Sequence, residues 1–349
     1  MIEKERVAWR KHFIIGFSIF FFLILFITAY FIFFKKAPAC GDATLYDKCS
    51  LRKPYFCDNG ELIEKASVCG CSELSTIKGN ECISKYQSEP KIINLKYILR
   101  GENKEISFTV YKKLYDYVSQ LSRSISYSGI QEPSLLDFKL KKINEKEQRE
   151  LLLPFVTEIQ NLANNKEDQA RIAISIIQNI PFGSSNKTIA FGGDQAEYSR
   201  YPYEVLYDMQ GICSEKTELL VFLLREIGYD SSFLYYQNEN HEAIGIKCPV
   251  SYSIDNSGYC FVETTGPSII TDVETEYVGI GELTSNPEII NISGKFSLGN
   301  IYEYGDAKSL MSIRRTMQEK GMINMFQYNI YKKLKEKYGL QDAEEYVFE

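Results

Sequence analysis

Histidine is almost missing from this chain of 349 residues: there are two, His12 and His241. His12 borders an apolar run near the amino terminus, so His241 is the only imidazole base available to the rest of the chain. Net positive charge is missing as well. The formal charge is −6, and residues 1–36 hold six basic and two acidic residues, which leaves −10 on residues 37–349. That balance argues against nucleic acid as a partner and against broad adhesion to an anionic membrane surface. Zinc-knuckle spacing is also missing. No two cysteines between positions 40 and 82 are separated by two residues, and that stretch has no histidine, which favours disulfides over a metal site. No metal and no cofactor is expected.

What is abundant is apolar length at the amino terminus. From Phe13 to Phe34 there is no charged residue, enough to cross a hydrocarbon core of roughly 30 Å as a helix. The run is longer than the apolar region of a signal peptide and passes straight into Lys35-Lys36, which predicts an uncleaved anchor. Lys4, Arg6, Arg10 and Lys11 precede it. Four basic residues against two predict a cytoplasmic amino terminus and an extracytoplasmic carboxy-terminal domain.

The nine cysteines divide unevenly. Six lie in a short, turn-rich stretch (Cys40, Cys49, Cys57, Cys69, Cys71, Cys82), two flank a hairpin (Cys248, Cys260), and Cys213 is left over. The first eight read as disulfide partners in an oxidising compartment. Fifty residues cannot bury enough surface without such staples. Cys213 stands in Gly211-Ile212-Cys213-Ser214-Glu215-Lys216-Thr217, opening an apolar run from Leu219 to Ile227 that stops at Gly228. A thiol at a helix amino terminus meets a dipole and free N–H groups that favour a thiolate. His241 follows in Asn240-His241-Glu242-Ala243, at the start of a strand, and the strand Tyr259-Cys260-Phe261-Val262-Glu263 supplies a carboxylate. Nucleophile, base and orienting acid are the parts that thiol acyl transfer requires.

The chain is predicted to run as an anchor (1–36), a cysteine-rich module (37–86), connecting helices and strands (87–150), a core (151–305) and a carboxy-terminal helical segment with an acidic tail (306–349). A strand at Ile106–Val110 leads into a helix from Tyr111 to Leu121. Asn144 with Glu147 reads as a capping box for a helix reaching about Leu162. A second amphipathic helix follows Asn165, with Ala170, Ala173, Ile176, Ile177 and Ile180 at helical spacing and Pro181 as its stop. Gly192-Gly193 lies in a polar stretch that reads as a solvated loop. Strands are expected near 231–237, 243–248, 259–264 and 277–283, and helix again to about Tyr338. Helices preceding an antiparallel sheet make the fold class α+β. If the second and third strands form a hairpin of even pairing sum, His241 and Glu263 share a face and Cys248 and Cys260 share the other. Setting Cys248 opposite Cys260 would leave His241 about four residues out of register with Glu263, an offset that needs a bulge or a diagonal pairing.

Gln169-Ala170-Arg171-Ile172-Ala173, Tyr201-Pro202, the Gly211–Thr217 run, Leu220–Gly228, His241 and Glu263-Thr264-Thr265 together resemble the transglutaminase-like superfamily, most of all its membrane-anchored archaeal members, over roughly residues 105–285. The cysteine-rich stretch Cys49–Leu62 followed by Cys69-Gly70-Cys71 resembles small modules of archaeal surface proteins. The first resemblance implies a papain-like core with Cys213, His241 and Glu263 as a triad acting on a protein or peptide substrate. Two positions depart from the superfamily pattern: the acid is Glu rather than the commoner Asp, and Glu242 follows the histidine where many relatives have a small or aromatic residue. An oxyanion hole would need the Cys213 N–H plus one side-chain donor, with Gln210 and Tyr201 as candidates. The reading is a thioester-forming enzyme, hydrolytic or cross-linking. The rival is a catalytically silent binding or scaffold module on the same fold.

Overall fold

The computed structural model describes residues 17–18, 20–23, 38–191, 194–273 and 282–340. The expected membrane span, apart from residues 17–18 and 20–23, lies outside the described residues. So do Gly192-Gly193, most of the strand expected at 277–283, and the acidic tail. Among the described residues no helix is long and apolar enough to cross a membrane. Residues 1–39 and 40–349 form two compact units, and everything below belongs to the second.

That unit opens with two short hairpins, β1 (Tyr55–Asp58) with β2 (Glu61–Glu64) and β3 (Ser75–Lys78) with β4 (Glu81–Ser84), separated by one helical turn, α1 (Ala66–Cys69). Asn59 and Gly60, both at positive φ, make the tight turn between β1 and β2. The apolar cluster here is small: Cys40, Tyr55, Cys57 and Leu62, with Tyr46 against it. Disulfides Cys40–Cys57, Cys49–Cys69 and Cys71–Cys82 make up the deficit. Closing loops of this size removes on the order of 3 kcal/mol of unfolded-state freedom per bond. The module is tied to the helices behind it: Asn161 exchanges two hydrogen bonds with the Leu62 backbone, and Gln169 Nε2 donates to the Gly41 carbonyl at 2.7 Å.

A ten-residue hairpin follows, β5 (Pro90–Leu99) with β6 (Glu102–Tyr111). Ile93, Leu95 and Tyr97 are buried and alternate with exposed Asn94 and Lys96, the period of a sheet with one wet face. Helices α2 (Lys112–Ser119), α3 (Leu135–Ile143), α4 (Lys146–Leu162) and α5 (Lys166–Asn179) come next. The α4 cap is Glu145, whose carboxylate accepts from Gln148 N–H at 2.7 Å, and not Asn144. Asn144 already terminates α3, its N–H bonded to the Leu140 carbonyl, so it cannot also open the next helix. Asn165 caps α5 through Asp168 N–H, and Ile180 turns to extended backbone before Pro181.

The short hairpin β7 (Thr188–Phe191) and β8 (Asp194–Glu197) precedes α6 (Pro202–Asp208) and α7 (Cys213–Ile227). Helix α7 is buried on nearly all faces from Glu215 to Leu224 and packs on the main antiparallel sheet. That sheet has the order β11 (Tyr259–Val262), β10 (His241–Lys247), β9 (Ser231–Tyr236), β12 (Glu288–Ile292). Gly245 at its centre is required by close approach, since a Cβ there would lie 2.3 Å from Ser232 Oγ. Helices α8 (Glu303–Lys320) and α9 (Met325–Tyr338) close the unit around Leu310, Ile313, Tyr331 and Leu334. The architecture is α+β with antiparallel sheets and a disulfide-rich amino-terminal region.

Candidate active site

The approach to Cys213 is a backbone clamp. Gly211 N–H donates to the Pro181 carbonyl (3.3 Å) and its own carbonyl accepts from Gly183 N–H (3.2 Å), which pins the loop to the end of α5. A Cβ on Gly211 would crowd Lys216 Cγ at 3.1 Å and Val205 Cγ1 at 3.2 Å, so glycine lets the chain enter α7 this close to its neighbours. Glu215 caps the helix start, its Oε2 accepting from Ile212 N–H at 3.0 Å. Arg200 holds that carboxylate through its backbone N–H (2.6 Å) and Nη1 (3.0 Å). Cys213 is thus the first residue of a fixed helix, partly exposed, and its thiol is free of disulfides.

His241 opens β10 directly opposite Tyr236 and is fully buried. Its Nε2 lies 2.9 Å from Glu263 Oε2. Burial alone would lower its pKa, but hydrogen bonds with the Cys213 thiol and with Glu263 outweigh burial and push it up to about 9. With Nε2 on the carboxylate, Nδ1 is the ring nitrogen left for the sulfur. Glu263 sits one residue beyond β11, where the chain leaves the sheet. Its Oε1 accepts from Thr264 N–H (2.8 Å), Thr265 N–H (2.8 Å) and the Thr265 hydroxyl (2.9 Å). Burial raises this carboxyl, and the bonds from His241 and Thr265 more than offset it, holding the group below the usual carboxylate range. Gln178 from α5 donates to the carbonyls of Glu263 and Ser268 and so fixes the loop itself.

The register between β10 and β11 pairs Ile244 with Val262 and Ile246 with Cys260, an even sum. Cys248 N–H then meets the Gly258 carbonyl, and the Cys248–Cys260 disulfide spans the pair diagonally. The offset is absorbed by that diagonal and by Glu263 lying outside the ladder, with no bulge in the strand. Cys213, His241 and Glu263 come together. Of the two oxyanion candidates, the Tyr201 hydroxyl already donates to the Ser122 carbonyl at 3.2 Å, whereas Gln210 only accepts, through Oε1 from Arg200 Nη2 at 3.3 Å, and its Nε2 keeps the donor an oxyanion would need.

Sequence reasoning missed the buried charges around this site. Lys139 Nζ lies 2.9 Å from both Glu218 of α7 and Glu242 of β10, and Lys142 takes the other oxygen of Glu218 at 2.9 Å. Thr217 adds a bond from its hydroxyl to the Glu242 carbonyl. These ties pin the histidine strand to the cysteine helix. The one signal was the glutamate after His241; Lys139 lies about a hundred residues upstream with nothing local to mark it.

No family model matches this chain, and no curated protein does. One similar solved structure is the "Putative Cysteine Protease from Cytophaga hutchinsonii", at a TM-score of 0.24 and 11% identity. The match covers 45% of this chain and 56% of that one, so the chain spans about half the length of the protein it resembles. A likeness that slight carries no argument about activity. The chemistry must come from the site.

Proposed function

We propose that this protein is a membrane-anchored, extracytoplasmic thiol acyl-transfer enzyme with a transglutaminase-like, papain-type core. The observation that carries the proposal is one fully buried imidazole held between a carboxylate at 2.9 Å and a partly exposed thiol at a helix start. In the proposed cycle the Cys213 proton rests on His241 Nδ1, and the thiolate attacks the carbonyl carbon of a glutamine carboxamide or peptide bond. Glu263, on Nε2, stabilises the imidazolium. His241 returns the proton to the leaving ammonia or amine as the carbon–nitrogen bond breaks, leaving a thioester on Cys213. Water then releases an acid, or a lysine amine forms a cross-link. The extracytoplasmic location is supported by four disulfides and by the Phe13–Phe34 run with its basic flank. The acidic balance of residues 37–349 is consistent with a protein or peptide substrate and with no nucleic-acid partner.

The test is turnover of a broad panel of glutamine-containing peptides by the full chain, scored for ammonia release, cleavage and incorporation of a primary amine. Wild type is expected to give at least one of these products and Cys213→Ala none. Amine incorporation assigns cross-linking, and cleavage alone assigns a protease. If wild type gives no product and Cys213→Ala keeps the cellular phenotype, the protein is a scaffold on the same fold.

A further inference from the structure

Lys216 carries its ammonium inside the protein, next to the site. It lies three residues after Cys213, one turn along α7, and is fully buried. Its stem packs against Gly211, and its Nζ donates to the Ile180 carbonyl at 2.6 Å and to the Thr265 carbonyl at 3.3 Å. A cation in a dry interior is costly unless something there requires its charge. Both hydrogen-bond acceptors are neutral carbonyls, and the carboxylate that acts on Lys216 through space is Glu263.

The charge count of the site supplies the requirement. Thiolate, imidazolium and carboxylate on Cys213, His241 and Glu263 sum to one negative charge, with the imidazole and the carboxylate fully buried and the sulfur at a partly exposed helix start. Neighbouring ionised groups do not offset it. Arg200 is shared by Glu215 and Asp208, and Lys139 and Lys142 are matched by Glu218 and Glu242, so none of these pairs leaves a spare cation. From α5 the nearest groups, Ile180 and Gln178, are neutral. Lys216 is the charge that remains.

We propose that Lys216 is a fourth, positioning member of the site: it balances the thiolate–imidazolium–carboxylate charges and ties the Glu263–Thr265 loop to the cysteine helix. The inference rests on the thiol acyl-transfer reading. Burial pushes the Lys216 ammonium down from 10.5 to about 7, with Glu263 opposing the shift. A thiolate one turn away opposes it further, so the cation is retained when the nucleophile is ionised.

The experiment is the rate of Cys213 alkylation by iodoacetamide against pH, in the full chain, with thermal melts alongside. Lys216→Gln keeps a donor for the two carbonyls and removes the charge; Lys216→Met removes both. In each variant the acid limb of the profile is expected to move up by about one pH unit, roughly a tenfold loss of rate near pH 6. Lys216→Arg is expected to restore the wild-type limb. A purely structural lysine would lower the melting temperature of the Met variant and leave the limb in place, and that result overturns the proposal. If one variant fails to fold, the other decides. His241→Ala, measured in parallel, separates the two claims: an unchanged limb there sinks the thiol acyl-transfer reading itself, whereas a shifted limb with unshifted Lys216 variants sinks only the role of the lysine.

Discussion

Glu263→Gln is expected to fold normally and to lose about 10⁴-fold in peptide turnover, the size of loss when the acid of a triad loses its charge. The reason lies in the donors around the side chain. Thr264 N–H, Thr265 N–H and the Thr265 hydroxyl all point at Oε1, so a glutamine must place its carbonyl oxygen there. Its NH2 group then faces His241 Nε2 and donates to it. The ring proton is forced onto Nδ1, the nitrogen that must accept from the thiol, and the base is blocked. Glu263→Asp keeps the charge but is one methylene short of spanning both the threonine donors and the imidazole, so its loss is expected to be milder. Turnover and melting temperature of the two variants, measured together, check the account. A Gln variant with more than a tenth of wild-type turnover would contradict it.

Lys139→Met is expected to cost about 3–5 kcal/mol, the penalty of leaving a buried carboxylate without its cation. Glu218 keeps Lys142, but Glu242 loses its only ammonium contact in the cluster and is nearly inaccessible to water. Burial already raises the Glu242 carboxyl, with Lys139 the main influence lowering it, so without the lysine the group folds protonated. Between the unfolded value of about 4.3 and that raised value the folded state binds the extra proton, so the variant loses stability as pH rises. The deficit against wild type should therefore be largest near neutral pH and shrink toward pH 4. Adding Glu242→Gln to Lys139→Met should recover part of the loss. Chemical denaturation at several pH values measures this. A deficit below 1 kcal/mol at pH 7 would mean that the cluster does not hold β10 against α7.

How much of this was legible depended on whether the partners were local. The α7 start at Cys213, the Asn165 cap and the Pro181 stop are all marked within a few residues, and the eight paired cysteines stand out by count and spacing. The β10–β11 parity was legible because side chains alternate strictly, but the diagonal disulfide was not, since only the observed register shows which residues face each other. Strand β12 was missed: five residues at the sheet edge carry too short a pattern to stand apart from a loop. The α4 cap was displaced by one residue because Asn144 is claimed by the preceding helix. Lys139 and Lys216 were invisible in their roles. A charged residue in a helix reads as a solvated face until the elements 36 to 103 residues away are seen to enclose it.

The most direct measurement of the central claim is the pH profile of Cys213 alkylation in wild type against His241→Ala. The His241 pKa is raised to about 9, so the imidazolium that pairs with the sulfur is present through neutral pH and is lost as pH rises through that value. Wild type is expected to react rapidly already near pH 6, where a free thiol of pKa ~8.5 is almost inert, and its advantage over the variant should fade above pH 9. Overlapping profiles for wild type and His241→Ala across that range would contradict the pairing of Cys213 with His241 and, with it, the proposed chemistry.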